Sequence, residues 1–260
     1  MEIDLQRYSP VLYLHTNEKY FPCSFEKYMS NAKLYYNDNL VFDNVNRNNL
    51  VQYRYNGEIA NGLNWNLRTD FTNEDTIMNA RALNDVPIYA YIKEINEDIL
   101  HIYYIYFFAY NGPYKILCKD VGAHYADIEH ITVEVNRHTG NLLRVYYSAH
   151  GYKAGMWKNA DEIDYNIDGR PIVYLAKGSH ASYPKSGTYY RIYGFANDLC
   201  NNGYKWTPNI IKLSDAEEIV KYNGTWGFDS VRNMSLQKWW QKENEISCKW
   251  WKRVFLPWTL

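Results

Sequence analysis

The sequence predicts a mostly β protein, an antiparallel β-sandwich decorated by a few short helices, and three observations carry that prediction. Tyrosine is abundant, at 27 of 260 residues, and its ring suits a half-buried pleated surface while its hydroxyl reaches water or a partner. Short stretches of strand-like composition recur, punctuated by Asn111-Gly-Pro, His138-Thr-Gly-Asn and Asp168-Gly-Arg-Pro, which are turn formers. Helical patterns are few. Because AT-rich coding also enriches Asn, Tyr, Ile and Lys, the pattern carries more weight than the tyrosine count.

Taken in chain order, the first strand is expected at Val11 to His15 and a helix at Ser24 to Asn31. Strands follow at Val51 to Tyr55, Ile88 to Ile92 and Leu100 to Tyr110. Asp127 to Val135, a turn around Thr139-Gly140-Asn141, and Leu142 to Ala149 read as one antiparallel hairpin. Ile172 to Leu175 and Tyr189 to Tyr193 complete the strands. The segment Ser214-Asp-Ala-Glu-Glu-Ile-Val-Lys opens on an N-cap residue with acidic residues in its first turn, a helix start.

With 47% hydrophobic and 22% charged residues, the chain has the composition of a globular protein able to bury a core. No repeat or linker divides it, so a single domain over 1–260 is expected. The stretch 232–260 holds Lys238-Trp-Trp, Lys249-Trp-Trp-Lys-Arg and Phe255-Leu-Pro-Trp258. Its indoles favour an aromatic and basic tail that wraps the domain, with peripheral membrane contact as the alternative. A net charge of −1 provides no general attraction to phosphate backbones, so nucleic acid is not an expected partner. No apolar run has the length of a membrane span, and the start Met1-Glu-Ile-Asp-Leu-Gln-Arg lacks a leader's apolar stretch, giving a cytoplasmic expectation. Cys23, Cys118, Cys200 and Cys248 have no paired spacing, in keeping with reduced thiols. The sequence carries no signal of oligomeric state.

The candidate site lies at the start of the hairpin. In a strand Asp127, Glu129, Ile131, Val133 and Val135 share one face, so an apolar face begins with two carboxylates. Such a pair needs a cation, a shared proton or a basic partner. His124, in the loop Gly122-Ala-His-Tyr-Ala, can reach the same place, and Asp120 could add an oxygen. An oxygen-rich set with one imidazole suits Mg²⁺, Mn²⁺ or Ca²⁺ better than structural Zn²⁺. The alternative is a strand-end ion pair with Lys119 or Arg137, with His124 on an ordinary loop. His150 in Ser148-Ala-His-Gly and His180 in Gly178-Ser-His-Ala-Ser stand beside small residues at strand ends. They could rim a ligand pocket with Tyr125, or tie down loops. His15 and His101 read as structural.

Phe108-Ala-Tyr-Asn-Gly-Pro113, Gly122-Ala-His-Tyr-Ala-Asp-Ile-Glu-His130, Tyr146-Tyr-Ser-Ala-His-Gly151, Gly169-Arg-Pro-Ile-Val-Tyr174 and Gly178-Ser-His-Ala-Ser-Tyr-Pro184 stand in an order that resembles the Vps62 (vacuolar protein sorting-associated protein 62) family. Tyr8-Ser-Pro-Val-Leu-Tyr-Leu-His15 with Glu18 and Tyr20-Phe-Pro22, and the late Gly224-Thr-Trp-Gly227, extend the resemblance over most of the chain. The spacing His124-x-x-Asp127-x-Glu129 is also similar to the core motif of the necrosis- and ethylene-inducing-like proteins. That resemblance implies a β-sandwich on which these three residues and an upstream aspartate, here Asp120, bind a divalent cation and help engage sphingolipid sugar headgroups. This chain has Tyr125-Ala126 where the toxins have a second histidine, and Ile128 in place of their tryptophan, so toxin activity is not carried over. The Vps62 resemblance implies a link to vacuolar delivery and supplies no mechanism.

Three functions follow as expectations. The first is cation-dependent recognition of a glycan or lipid headgroup. The second is a metal-dependent hydrolase in which His124, His150 or His180 moves protons. The third is a structural protein, virion-associated if the AT-rich coding is viral, that keeps an ion for stability. A glycosidase ranks below these, because Asp127 and Glu129 lie side by side and cannot flank a scissile bond.

Overall fold

The structure is a computed structural model that describes residues 3–30, 32–69, 80–116, 119–150, 155–191, 194, 196–214 and 217–227. The expected tail at 232–260 lies outside the described residues. No helix among them is long and apolar enough to cross a membrane.

A six-stranded sheet forms the middle of the fold, in the order Met156–Asn159, Leu142–Tyr147, His124–Asn136, Ile99–Asn111, Ile88–Glu94 and Ile210–Lys212. Its neighbours are antiparallel except at Ile210–Lys212, which runs parallel to Ile88–Glu94. The expected hairpin is there, with Val133 opposite Val145. On its other side the same strand pairs with Ile99–Asn111 from His124 to Asn136, setting Asp127 opposite Phe108 and Glu129 opposite Tyr106.

Both faces of the sheet's two long central strands, Ile99–Asn111 and His124–Asn136, are buried. Ile102, Tyr104, Tyr106 and Phe108, with Ile131, Val133 and Val135, pack on Leu12, Leu14, Val173, Leu175 and Trp206. These come from a four-stranded sheet ordered Ser182–Tyr183, Ile172–Leu175, Val11–Leu14 and Tyr204–Trp206. The alternate residues Tyr103, Ile105, Phe107, Ala126 and Ile128 pack on Leu34, Trp65, Leu67 and Trp226, from a sheet ordered Thr225–Trp226, Trp65–Thr69, Ala32–Tyr36 and Asn39–Phe42. The β-sandwich is therefore doubled around a shared middle sheet. The run Ile-Leu-His-Ile-Tyr-Tyr-Ile-Tyr-Phe-Phe-Ala over 99–109, apolar or aromatic with little alternation, is what a strand covered on both sides requires.

Several expected elements differ. Of Val51 to Tyr55, Val51 and Gln52 end a 3₁₀ segment, Arg47–Gln52, and Arg54–Tyr55 is strand; Asn46 caps the 3₁₀ turn by accepting from Asn48 N. Of the strand expected at Tyr189 to Tyr193, Tyr189 ends the strand Gly187–Tyr189, Tyr190 and Arg191 are not strand, and 192–193 lie outside the described residues. Ser24 does cap the Phe25–Met29 helix, accepting from Lys27 N. The later helix starts further on than Ser214, at Glu218–Lys221 with Glu217 at its N-cap. Ser214 donates its backbone N–H to the Glu217 carboxylate.

Candidate functional site

Asp127 and Glu129 project from the middle sheet into the same core as Ile131 and Val133, and only 5% and 6% of their surface is exposed. The face assignment made from strand periodicity therefore holds, and the two carboxylates are buried neighbours. Of the two strand-end partners considered, Arg137 pairs with Glu94 instead, and the Lys119 side chain lies outside what the structure describes.

Asp127 is met by His180. The imidazole Nδ1 lies 2.8 Å from Asp127 Oδ2, and Nε2 lies 3.0 Å from the Tyr20 carbonyl and 3.8 Å from Glu18 Oε1. Both ring nitrogens thus face acceptors, which only the doubly protonated ring can satisfy. Burial opposes that charge, yet the bonds to Asp127 and Glu18 carry the pKa up to about 9. Glu18 accepts from the backbone N–H groups of Lys19, Tyr20 and Gly178. Although its burial works the other way, His180 and these amides hold its carboxyl below the usual range.

Glu129 is differently placed. Ser148 donates to its Oε2, while burial first and the adjacent Asp127 second push its carboxyl well above the usual range. Below it, Tyr106 and Ser182 share a hydrogen bond that links the middle sheet to the layer beneath.

His124 sits at the start of the strand. Its Nδ1 faces the Tyr125 carbonyl at 3.2 Å, and its Nε2 faces Asp127 Oδ1 at 3.9 Å. Tyr125 stands on the rim, edge-on to Tyr110, which is edge-on to Tyr20. Asp120 is exposed on the Lys119–Val121 strand of a small ribbon with Tyr114–Ile116, near enough to raise the Tyr20 pKa.

His150 points elsewhere. Its Nε2 lies 2.6 Å from Asp198 Oδ2, a residue that sequence reasoning missed. Asp198 is fully buried and accepts from Tyr114 and Ser179 on Oδ1 and from His150 and Tyr183 on Oδ2. Burial opposes its charge, but His150 and the tyrosines hold its carboxyl well below the usual range. The two centres adjoin: Ser148 and His150 serve one each, as do Ser179 and His180. His15 Nδ1 accepts from Asn17 N and His101 bonds to Glu134, the structural roles expected of both.

Backbone strain marks the same place. Asn37, Asp38, Asn44 and Asn56 take positive φ, as short polar residues do in turns. Among the described residues, the other non-glycine positions with positive φ are Ala126 at 56°, His150 at 54° and His180 at 55°, and all three belong to this site. Strained residues persist where their surroundings over-determine them, which is common at functional sites.

The donor types match those of an oxygen-preferring cation. Ion–ligand bonds of about 2.1 to 2.5 Å can also be spanned by donors 3.9 Å apart, the separation of His124 Nε2 and Asp127 Oδ1. As they stand, no group of three or more His, Cys, Asp or Glu side chains among the described residues is gathered closely enough to hold a metal ion, and Glu129 is engaged by Ser148.

The sequence profile of the Vps62, vacuolar protein sorting-associated protein 62, family matches residues 1–218. The vacuolar protein sorting-associated protein 62 of Saccharomyces cerevisiae is 21% identical over 89% of this chain, and this chain spans 60% of the length of that relative. Among solved structures, NLPPya in complex with glucosamine aligns at a TM-score of 0.42 and 12% identity, over 81% of this chain and 73% of that one. A necrosis and ethylene inducing protein 2 from the agent of cocoa's witches' broom disease aligns at 0.39 and 12% identity, over 80% and 71%. With the profile covering most of its length, the chain belongs to the Vps62 family.

Proposed function

We propose that this is a recognition domain that takes a divalent cation at Asp127, Glu129 and His124, with Asp120 as a further ligand, and holds a glycan or lipid headgroup there. The observation that carries the proposal is a charge imbalance at the end of the middle sheet. One imidazolium, His180, serves Asp127 and Glu18, and Glu129 is left beside Asp127 with only a serine hydroxyl. Without further positive charge Glu129 must hold a proton.

When bound, Mg²⁺, Mn²⁺ or Ca²⁺ would supply open positions for hydroxyl or phosphate oxygens. Asp127 keeps one oxygen on His180 and directs the other toward His124. Tyr20, Tyr110 and Tyr125 border the site with aromatic surface suited to a sugar ring. The vacuolar-sorting family supports placing such a domain at a trafficking membrane.

The test is thermal unfolding after chelation, with Mg²⁺, Mn²⁺, Ca²⁺ and Zn²⁺ returned separately, on the wild type and on the double variant Asp127→Asn, Glu129→Gln. An ion that binds only the folded chain adds about 2.7 kcal/mol at a hundred times its Kd. A rise in melting temperature with Mg²⁺, Mn²⁺ or Ca²⁺ in the wild type alone is the expected result, after which glycan and lipid binding are measured with that ion present. If no ion shifts the wild type, the proposal fails.

A further inference from the structure

The strand that carries Asp127 ends at Asn136, about 30 Å from that carboxylate at the rise of an extended chain. At this far end of the middle sheet lies a cleft of about 620 Å³, with Arg7, Asn141, Asn159 and Asp161 exposed on its walls. Its size suits a small ligand or a few residues of peptide. The helix Leu5–Tyr8, the hairpin turn, the end of the strand Met156–Asn159 and the turn at Gly169 together build it.

Bonds between these elements fix the walls. Tyr8 donates its hydroxyl to the Gly140 carbonyl, joining helix and hairpin turn. Arg170 donates to the carbonyls of Ser9 and Pro10, tying the turn at Gly169 to the end of the same helix. Arg7 is held over the Tyr8 ring at 5.3 Å, a contact that uses none of its N–H groups. Its Nη1 stands 3.6 Å from where a Cβ on Gly140 would be, so the guanidinium borders the hairpin turn. On the other wall Glu162 is taken up by Asn159 N and Lys158, and Asp161 is the acid that lines the cleft. The apolar wall comes from an irregularity. Consecutive strand residues point to opposite faces, yet Leu142 and Leu143 both line the cleft. Glu134 pairs with Arg144 and Val135 with Leu142, which makes Leu143 the extra residue of a β-bulge, a device that re-aims a side chain.

One small volume thus holds a cation, an anion, two half-buried leucines and the amides of Asn141 and Asn159. We propose that the cleft binds an extended peptide segment of a partner protein, with an aliphatic side chain on Leu142 and Leu143 between an acidic one at Arg7 and a basic one at Asp161. Arginine's planar fork matches a carboxylate, the asparagine amides both donate and accept as peptide groups require, and the leucines gain from burial. A phosphate-rich partner would be repelled by Asp161, and an apolar surface would have to strip water from both charges. A peptide of mixed charge satisfies every wall.

The probes are Ac-Glu-Ile-Leu-Lys-NH₂, the reversed Ac-Lys-Leu-Ile-Glu-NH₂ and the uncharged Ac-Gln-Ile-Leu-Gln-NH₂, titrated into the ¹⁵N-labelled full chain without added metal, so that the outcome is independent of the cation reading. The amide signals of Gly140 and Gly169 report on the cleft. The charged peptide that runs in the fitting direction is expected to shift both signals and to bind about tenfold more tightly than the uncharged one. Arg7→Gln and Asp161→Asn should each weaken it by about the same factor. Arg7→Glu should reject it and accept Ac-Lys-Ile-Leu-Lys-NH₂ in its place, a change of preference that lost folding cannot produce; circular dichroism on each variant checks the fold. Three results would overturn the inference: neither charged peptide moving the two glycine signals, charged and uncharged peptides binding equally, or a preference that Arg7→Glu leaves unchanged.

Discussion

His180 lies flat against Phe108, ring centroids 3.6 Å apart and planes parallel, while its two nitrogens face Asp127 and the Tyr20 carbonyl. The stack comes from the strand opposite Asp127, so one imidazolium joins the middle sheet to the loop that carries Glu18. Its removal would leave buried carboxylates without their positive partner. His180→Gln is expected to cost about 3 to 5 kcal/mol, measured by denaturant unfolding at neutral pH.

The same ring sets an alkaline limit on stability. Its folded pKa, about 9, lies above the unfolded value of 6.5. The contribution is complete below about pH 6.5 and is lost as pH rises through about 9, a loss on the order of 3 kcal/mol. Unfolding curves collected across that window should show the decline in the wild type and a flatter profile in His180→Gln.

At the opposite end of the scale stands Glu134, which accepts two bonds from Arg144 and one from His101. Burial resists its ionisation, but His101 and then Arg144 lower its pKa to about 2. The stability it contributes is present above the usual carboxylate value and disappears as pH falls toward 2. Glu134→Gln should remove that part of the acid transition, read by circular dichroism between pH 5 and about 2.

Ala126, fully buried with φ of 56°, permits a sharper test of strain. The left-handed conformation costs an L residue about 1 to 2 kcal/mol, and glycine brings an entropic penalty of about 0.4 to 1 kcal/mol. Ala126→Gly should therefore be neutral or slightly stabilising. Ala126→Val, branched at Cβ, should lose more than about 2 kcal/mol. Equilibrium unfolding of the pair decides it.

Gly227 has φ of 81°, and a Cβ there would meet the Tyr125 carbonyl oxygen at 2.5 Å. Tyr125 adjoins His124, so Gly227→Ala should both destabilise the fold, by about 2 to 4 kcal/mol, and weaken any ion response. Melting with and without the stabilising ion separates the two effects.

Where the sequence could be read, a local rule sufficed. Alternation over Asp127 to Val135 placed both carboxylates on the core face, and the turn at Gly140 marked the hairpin. Val51 to Tyr55 misled in part because β-branched residues also occur in a 3₁₀ turn, which here takes in Val51 and Gln52. Asp198 gave no signal at all: it lies in the short strand Asp198–Cys200, and its partners come from four other places in the chain. His180 stands out in the sequence beside small residues, but its role as counter-charge depends on a contact with Asp127 that no spacing encodes.

Each of the three larger sheets contains one parallel pairing that closes a long loop: Val11 beside Ile172, Asn66 beside Thr225 and Ile88 beside Ile210. An emerging chain cannot complete any layer until segments well beyond residue 170 have been synthesised. Such non-local pairing slows folding and leaves strand edges open meanwhile. Production of this protein is thus expected to be limited by the chaperone capacity and temperature of the host during synthesis, more than by the stability of the finished fold.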